Sequence, residues 1–164
     1  MRIAVTGRPG IGKTTVCMKV YDALKDRIKI SGFITREVRS GGRRIGFKLV
    51  NLSDGSEEWL AKVGEGKVKV GKYAVFVESL ESFLENINLD CDLLIVDEVG
   101  PMELKTRKFV EFMKDAKRLD RILVTVHYKS KHWLVEEIKR DFRVYVLDEM
   151  NRNKIAEEIV EELG

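Results

Sequence analysis

Residues 2–15 read RIAVTGRPGIGKTT, and this stretch decides the fold. Arg2 to Thr6 is a short apolar run of strand length, and a helix-period segment, Thr14 to Arg27, follows it. Between them GRPGIGKT, Gly7 to Thr14, fills every position of G-x-x-x-x-G-K-[ST] in the strand-then-helix context that the pattern requires. From average composition, a chance match in a chain of this length is on the order of one in a few hundred. Glycines at 7, 10 and 12 let the loop bend so that backbone N–H groups point inward. The first helical turn adds its own unpaired N–H groups and the positive end of its dipole. The product is an anion cradle, with a nucleotide-binding set of Gly7, Arg8, Pro9, Gly10, Ile11, Gly12, Lys13, Thr14 and Thr15. Lys13 brings a mobile charge to the outer phosphates, and the Thr14 hydroxyl is a ligand for a magnesium ion shared with them.

A second signal is LLIVDEVG, Leu93 to Gly100, an apolar run ending in an acidic pair. Ligands of an open parallel sheet sit at the carboxyl ends of its strands, so Asp97 is expected beside the phosphate loop, in the magnesium shell. Glu98 is then placed to accept a proton from an attacking water while Lys13 and the metal absorb charge at the phosphates. Asp97, Glu98, Val99 and Gly100 join the nucleotide-binding set. Lys13 and Glu98 are the expected catalytic residues, with Thr14 and Asp97 as metal ligands.

Around these motifs, strands are expected at Arg2 to Thr6, Asp92 to Asp97, Arg121 to His127 and Arg143 to Leu147. Each is a nearly unbroken apolar run, as parallel strands covered on both faces require. Helices are expected at Thr14 to Arg27, Thr106 to Leu119, Ser130 to Arg140 and Asn151 to Leu163. In the second, Phe109, Val110, Met113 and Ala116 fall on one face. Ile30 to Val63 alternates apolar and polar residues around Gly41-Gly42 and Asp54-Gly55, which are hairpin turn signals. An antiparallel insertion is expected there, one face packed and the other carrying Arg36, Arg39, Arg43 and Lys48. A strand at Lys72 to Val77 and a helix at Leu80 to Ile87 lead back to the main sheet. The fold class is α/β, one domain over 1–164, with a mostly parallel central sheet flanked by helices and the hairpin region inserted at about 30–63.

Composition narrows the function classes. The chain has 164 residues, enough for one core and little more. Its apolar share of 44% is ordinary, and its 35% charged share, against the roughly 25% usual, argues against disorder and for a strongly charged surface. Thirty basic against twenty-seven acidic residues leave +3, with no long basic run. Cys17 and Cys91 lie far apart with no CxxC or histidine companions, so neither a disulfide framework nor a zinc site is expected, and both read as reduced, buried thiols. The chain opens on a strand without a charged-then-apolar leader, and no apolar run nears a membrane span, so a cytoplasmic setting is expected. Glutamine is absent while Lys, Arg and Glu abound, the bias expected of a thermophilic source.

Taken together, GRPGIGKTT, GFITREVR with RRIGFKLV, VGKYAV, DEVGPMEL and the closing NRNKIAEEI resemble the small nucleoside-triphosphatase family of archaea and bacteria that also includes the human cancer-related nucleoside-triphosphatase. The likeness spans nearly the whole chain, and the arginine-bearing hairpin and DEVGPMEL are its most specific parts. It implies a RecA-like P-loop fold, dependence on Mg2+, and hydrolysis of ATP, GTP and other nucleoside triphosphates to diphosphate and phosphate. The family's phosphate loop falls on Gly7 to Thr14 and its second nucleotide segment on Asp97 to Gly100. Relatives often carry an apolar residue and a proline after the fourth strand. This sequence has His127 and Tyr128 there, so no role is carried onto that loop.

Several further residues have two readings each. His127 or Thr125 can sense the outer phosphate, or His127 is a satisfied strand-end histidine. Arg36, Arg39, Arg43 and Arg44 can send an arginine finger to the γ-phosphate, or simply solvate a hairpin face. Glu103 can orient the catalytic loop or complement the next helix N-terminus. Asn151 and Arg152 can edge the base, or Asn151 can cap the last helix. Lys129, Lys131, His132 and Trp133 mix basic and aromatic character, a thin pointer to nucleic acid. Asn153-Lys154 is followed by Ile155-Ala156, so a guanine-reading N-K-x-D is missing. The reading is a monomeric enzyme without a membrane partner. Its rivals are a small-molecule or nucleotide kinase, which needs an acceptor site, and a nucleotide-dependent RNA-binding module.

Overall fold

A computed structural model describes all residues, 1–164. Its strands are β1 (Arg2–Thr6), β2 (Ile30–Ser40), β3 (Arg43–Asn51), β4 (Glu57–Val63), β5 (Lys69–Val70), β6 (Tyr73–Val75), β7 (Leu93–Val99), β8 (Ile122–Val126) and β9 (Arg143–Val146). The helices are α1 (Lys13–Leu24), α2 (Val77–Glu85), α3 (Arg107–Ala116), α4 (Trp133–Asp141) and α5 (Arg152–Leu163), with a short 3-10 turn at Glu103–Lys105. All nine strands form one sheet in the order β5-β6-β4-β3-β2-β7-β8-β1-β9. The five from β2 to β9 run parallel, and the rest extend the β2 edge antiparallel.

Alternation along the buried strands builds two cores, one on each face of the sheet. Ile3 and Val5 of β1, with Leu93 and Ile95 of β7, pack with Val16, Val20 and Leu24 of α1 and Ile159 and Leu163 of α5. Ala4, Leu94 and Val96 face the other way, where Leu80 and Phe83 of α2, Phe109 and Met113 of α3, and Leu134 and Ile138 of α4 cover them. Of the helix stripe expected from Phe109, Val110, Met113 and Ala116, Val110 is half-buried and the other three are fully buried there. A buried side chain of this size contributes about 1.5–3 kcal/mol, so the two layers fix the sheet from both sides.

Four expectations need correction. The antiparallel hairpin region expected from Ile30 is present as β2 to β4, but its first residues are not antiparallel: Ile30 to Phe33 pair in parallel with Leu93 to Val96, and the same strand then runs on into the hairpin with β3. Hairpin charges also divide between faces. Arg36 stands opposite Lys48, whereas Arg39 lies on the other face, where it and Arg44 both meet Glu37. The strand at Lys72 to Val77 is only Tyr73–Val75 with a two-residue partner, and the helix begins at Val77 because the Phe76 carbonyl already accepts the Leu80 N–H. Cys17 is buried, but Cys91 is half-exposed in the turn before β7.

Candidate active site

The loop from Gly7 to Gly12 joins β1 to α1 at the carboxyl edge of the parallel strands. Gly12 takes φ +115°, a left-handed conformation that frees the start of α1, and no side chain caps that helix end. Its first N–H groups therefore have no intrahelical partner and point into the cradle. Around the loop, Arg8 pairs with Glu149 at 2.5 Å, and Arg152 donates to the Ile11 carbonyl at 3.2 Å. Gly12, Thr15, Lys19, Arg152 and Asn153 line a small cavity of about 260 Å³ on this side. Asn151 does not cap α5 with its side chain. It accepts from the Asp148 N–H and donates to the Val146 carbonyl, while the Asp148 carboxylate takes the Met150 and Asn151 N–H groups.

Asp97 and Glu98 do not lie past the end of their strand. Val96 pairs with Val124 and Val99 with Val126, so two residues stand against Thr125 alone, a bulge inside β7. The bulge breaks the strict alternation of the strand, and both carboxylates reach the cradle. Asp97 Oδ2 accepts from Thr14 Oγ1 at 2.7 Å and from the Thr35 N–H at 3.2 Å, and its Oδ1 accepts from Thr125 Oγ1 at 2.7 Å. Thr125 is fully buried and holds Asp97, so it is not a sensor of the outer phosphate. Glu98 Oε2 sits 3.6 Å from Lys13 Nζ, which also donates to the Gly7 carbonyl at 2.8 Å. Lys13, Thr14, Asp97 and Glu98 thus converge on one end of the loop. Val99 is buried in β7, and Gly100 follows it with its Cα against the Glu98 carboxylate; a Cβ there would lie 2.7 Å from Glu98 Oε1 and 3.3 Å from Glu103 Oε1.

The electrostatics follow from this crowding. Burial pushes the Asp97 carboxyl up from its ordinary range, against the pull of the Thr125 and Thr14 hydroxyls. Glu98 is raised too, by burial first and by Asp97, with Lys13 opposing. Glu103, buried in the 3-10 turn, is raised furthest, by burial and then by the charge of Glu98. Its side chain is not the cap of α3, because Thr106 Oγ1 accepts the Lys108 N–H there. His127 is half-exposed on the site's rim and is lowered by burial and by Lys13, which keeps it neutral near pH 7.

Lys13, Thr14, Asp97 and Glu98 open into a cavity of about 600 Å³ that runs out under the hairpin to Phe47, Leu60 and Tyr73. Of the hairpin arginines only Arg44 lines it; Arg36 pairs with Glu57 on the other face. His132 accepts the Leu134 N–H as the cap of α4, and Trp133 packs on it and near Lys114, far along the chain from the loop motifs. Sequence reasoning missed Thr35, whose hydroxyl donates to the Asp97 carbonyl, as well as Glu37 and the Phe47–Tyr73 pair. The signal for Thr35 is its place mid-strand in β2, two residues past the stretch Ile30 to Phe33 that pairs with β7, which becomes visible only once the strand order is known.

A phosphate loop between the first strand and the first helix of a parallel sheet, with a second strand bringing an aspartate to the loop threonine, defines a P-loop NTPase. The chain belongs to the NTPase family, whose model matches residues 2–160. It is 62% identical over 159 residues to the nucleoside-triphosphatase THEP1 of Archaeoglobus fulgidus, covering 97% of this chain and 96% of that protein. Against the nucleoside-triphosphatase THEP1 of Methanocaldococcus jannaschii the identity is 43% over 169 residues, with 99% and 97% covered. Among solved structures, THEP1 from the hyperthermophile Aquifex aeolicus superimposes with a TM-score of 0.87 at 31% identity over 99% of both chains. The human cancer-related nucleoside triphosphatase gives 0.81 at 33% identity, covering 99% of this chain and 96% of that one. No helix is long and apolar enough to cross a membrane.

Proposed function

We propose that the chain hydrolyses ATP, GTP and other nucleoside triphosphates to diphosphate and phosphate with Mg2+, and that Glu98 activates the attacking water. Family membership supports nucleoside-triphosphatase activity; the observation that carries the finer reading is the meeting of Lys13, Thr14, Asp97 and Glu98 at one end of the phosphate loop. The loop amides and the α1 N-terminus hold the inner phosphates, and Lys13 reaches the outer ones. Thr14 and Asp97 suit Mg2+: both are hard oxygen donors 2.7 Å apart, and this ion is commonly held by one or two protein groups plus substrate phosphates. Bound there, Mg2+ supplies positive charge to the phosphate oxygens. Glu98, with its side chain a quarter exposed beside Lys13, is positioned to orient a water and take its proton. Phosphate release from ATP, GTP, CTP and UTP tests the reading. Multiple turnovers with all four in Mg2+, and their loss in excess EDTA, are expected; undiminished turnover in EDTA contradicts the metal assignment, and no release from any of the four contradicts the activity.

A further inference from the structure

We propose that the large cavity beyond the outer-phosphate end of the loop is an acceptor site, and that the chain transfers the γ-phosphoryl group to the hydroxyl of a small alcohol carried on a flat heteroaromatic ring. The proposal rests on the reading of the cradle given above, which sets the direction of the bound triphosphate. Loop amides take the inner phosphates and Lys13 the outer ones, so the nucleoside leaves on the side of Gly12, Thr15, Lys19 and Arg152, where the cavity of about 260 Å³ lies. The γ-phosphoryl then points the opposite way, into the cavity of about 600 Å³.

Hydrolysis needs only a water there, whose share of volume is about 30 Å³. The cavity, which also takes in the loop end at Lys13, Thr14, Asp97 and Glu98 where the γ-phosphoryl group and the ion would sit, is far larger than a water and falls within the span typical of small-molecule sites, about 300–1,000 Å³. Its far wall offers water little to bond. Phe47 and Tyr73 meet edge to face with centroids 5.3 Å apart, and Leu60 closes the wall between strands β3 and β6. Such a wall suits a flat ring. At its edge Glu37 and Arg44 are paired at 3.1 Å, an acceptor and a donor side by side, which fits a ring bearing both kinds of polar group. The Arg44 guanidinium also lies 5.4 Å from the Phe47 ring centroid, so the pair is fixed against the wall it serves. These residues come from β2, β3, β4 and β6, outside the phosphate loop and the acidic bulge of β7.

The step is the hydrolytic one with a different nucleophile. The alcohol oxygen forms a bond to the γ-phosphorus, and the bond from that phosphorus to the β–γ bridging oxygen breaks. The electron pair leaves with the nucleoside diphosphate, and the hydroxyl proton passes to the Glu98 carboxylate. The products are a phosphate monoester and the diphosphate; when the cavity holds only water, the same step releases inorganic phosphate.

The test incubates the protein with γ-32P-labelled ATP and Mg2+, alone and with adenosine, guanosine, cytidine, uridine or 3-pyridinemethanol, and separates the labelled products. A labelled monoester with at least one of these alcohols is expected, and Phe47→Ala should raise the KM for that alcohol at least tenfold relative to the KM for ATP. Label appearing only as inorganic phosphate with every alcohol overturns the proposal. So does a Phe47→Ala variant whose KM for ATP rises as much as that for the alcohol, because the cavity then seats the nucleoside of ATP. Failure of the hydrolase reading shows separately, as no phosphate release in the arm without an alcohol.

Discussion

Asp97 spends both carboxylate oxygens on Thr14, Thr125 and the Thr35 amide, while Glu98 has only Lys13 within ion-pair reach. One side chain is locked and the next is left to work. Lys13 is nine-tenths buried, but its polar partners are Glu98 and the Gly7 carbonyl at the mouth of the loop rather than either core, so Lys13→Ala should fold and, on the proposed reading, lose about tenfold to a hundredfold in ATP affinity, the worth of a charge-assisted contact. A calorimetric titration with ATP checks this, and wild-type affinity in a folded variant would remove the cradle reading. Glu103 carries a pH prediction. Its folded-state proton affinity is raised well above the ordinary value of 4.5, so it keeps a proton that the unfolded chain has released. Stability from this group is complete below about pH 4.5 and is lost as pH rises toward the folded value. Glu103→Gln, a permanent neutral mimic, should therefore flatten that loss. Thermal midpoints measured from pH 4 to pH 8 should show the variant gaining on the wild type as pH rises; parallel curves would contradict it. At this scale Lys13, Thr14, Asp97 and Glu98 were legible because motif spacing names them. The depth of Glu103 was not, since a lone glutamate after Pro101 carries no mark of burial.

At the scale of elements the hairpin is the instructive part. Gly41-Gly42 announced its turn, and alternation announced its strands, but alternation says nothing about which neighbour a strand takes. That Ile30 to Phe33 lie against β7 depends on Gly32, with φ +112° and a position where a Cβ would fall 1.9 Å from the Ile95 carbonyl oxygen. Gly32→Ala combines that clash with a strained backbone and should cost more than about 2 kcal/mol of stability. Chemical denaturation measures it, and a variant as stable as the wild type would mean that β2 and β7 do not approach in this way. The acidic bulge in β7 was likewise invisible beforehand: an apolar run ending in two carboxylates reads as a strand that stops, and only the resumed pairing at Val99 shows that it continues.

For the whole molecule, the order of strands and helices was readable from runs of apolar residues, and the two cores from their alternation. The strand order was not, because it is set by which faces α1 and α5 on one side and α2, α3 and α4 on the other can cover together. That order places β7 between β2 and β8, bringing Thr35, Asp97 and Thr125 from three adjacent strands to one edge, with the phosphate loop of β1 beside them. The sheet thus gathers Asp97 and Glu98 beside the phosphate loop, where the proposed function makes the first a metal ligand and the second the water-activating base. The claim is tested most directly by comparing Glu98→Gln with Asp97→Asn for ATP affinity in Mg2+ and for multiple-turnover phosphate release. Glutamine keeps the size and one acceptor oxygen but takes no proton at neutral pH, so Glu98→Gln should bind ATP as the wild type does and turn over about a hundredfold to ten-thousandfold more slowly. Asp97→Asn should lose affinity and turnover together. Ordinary turnover by Glu98→Gln, or a loss of affinity matching that of Asp97→Asn, would contradict the assignment of Glu98 as the base.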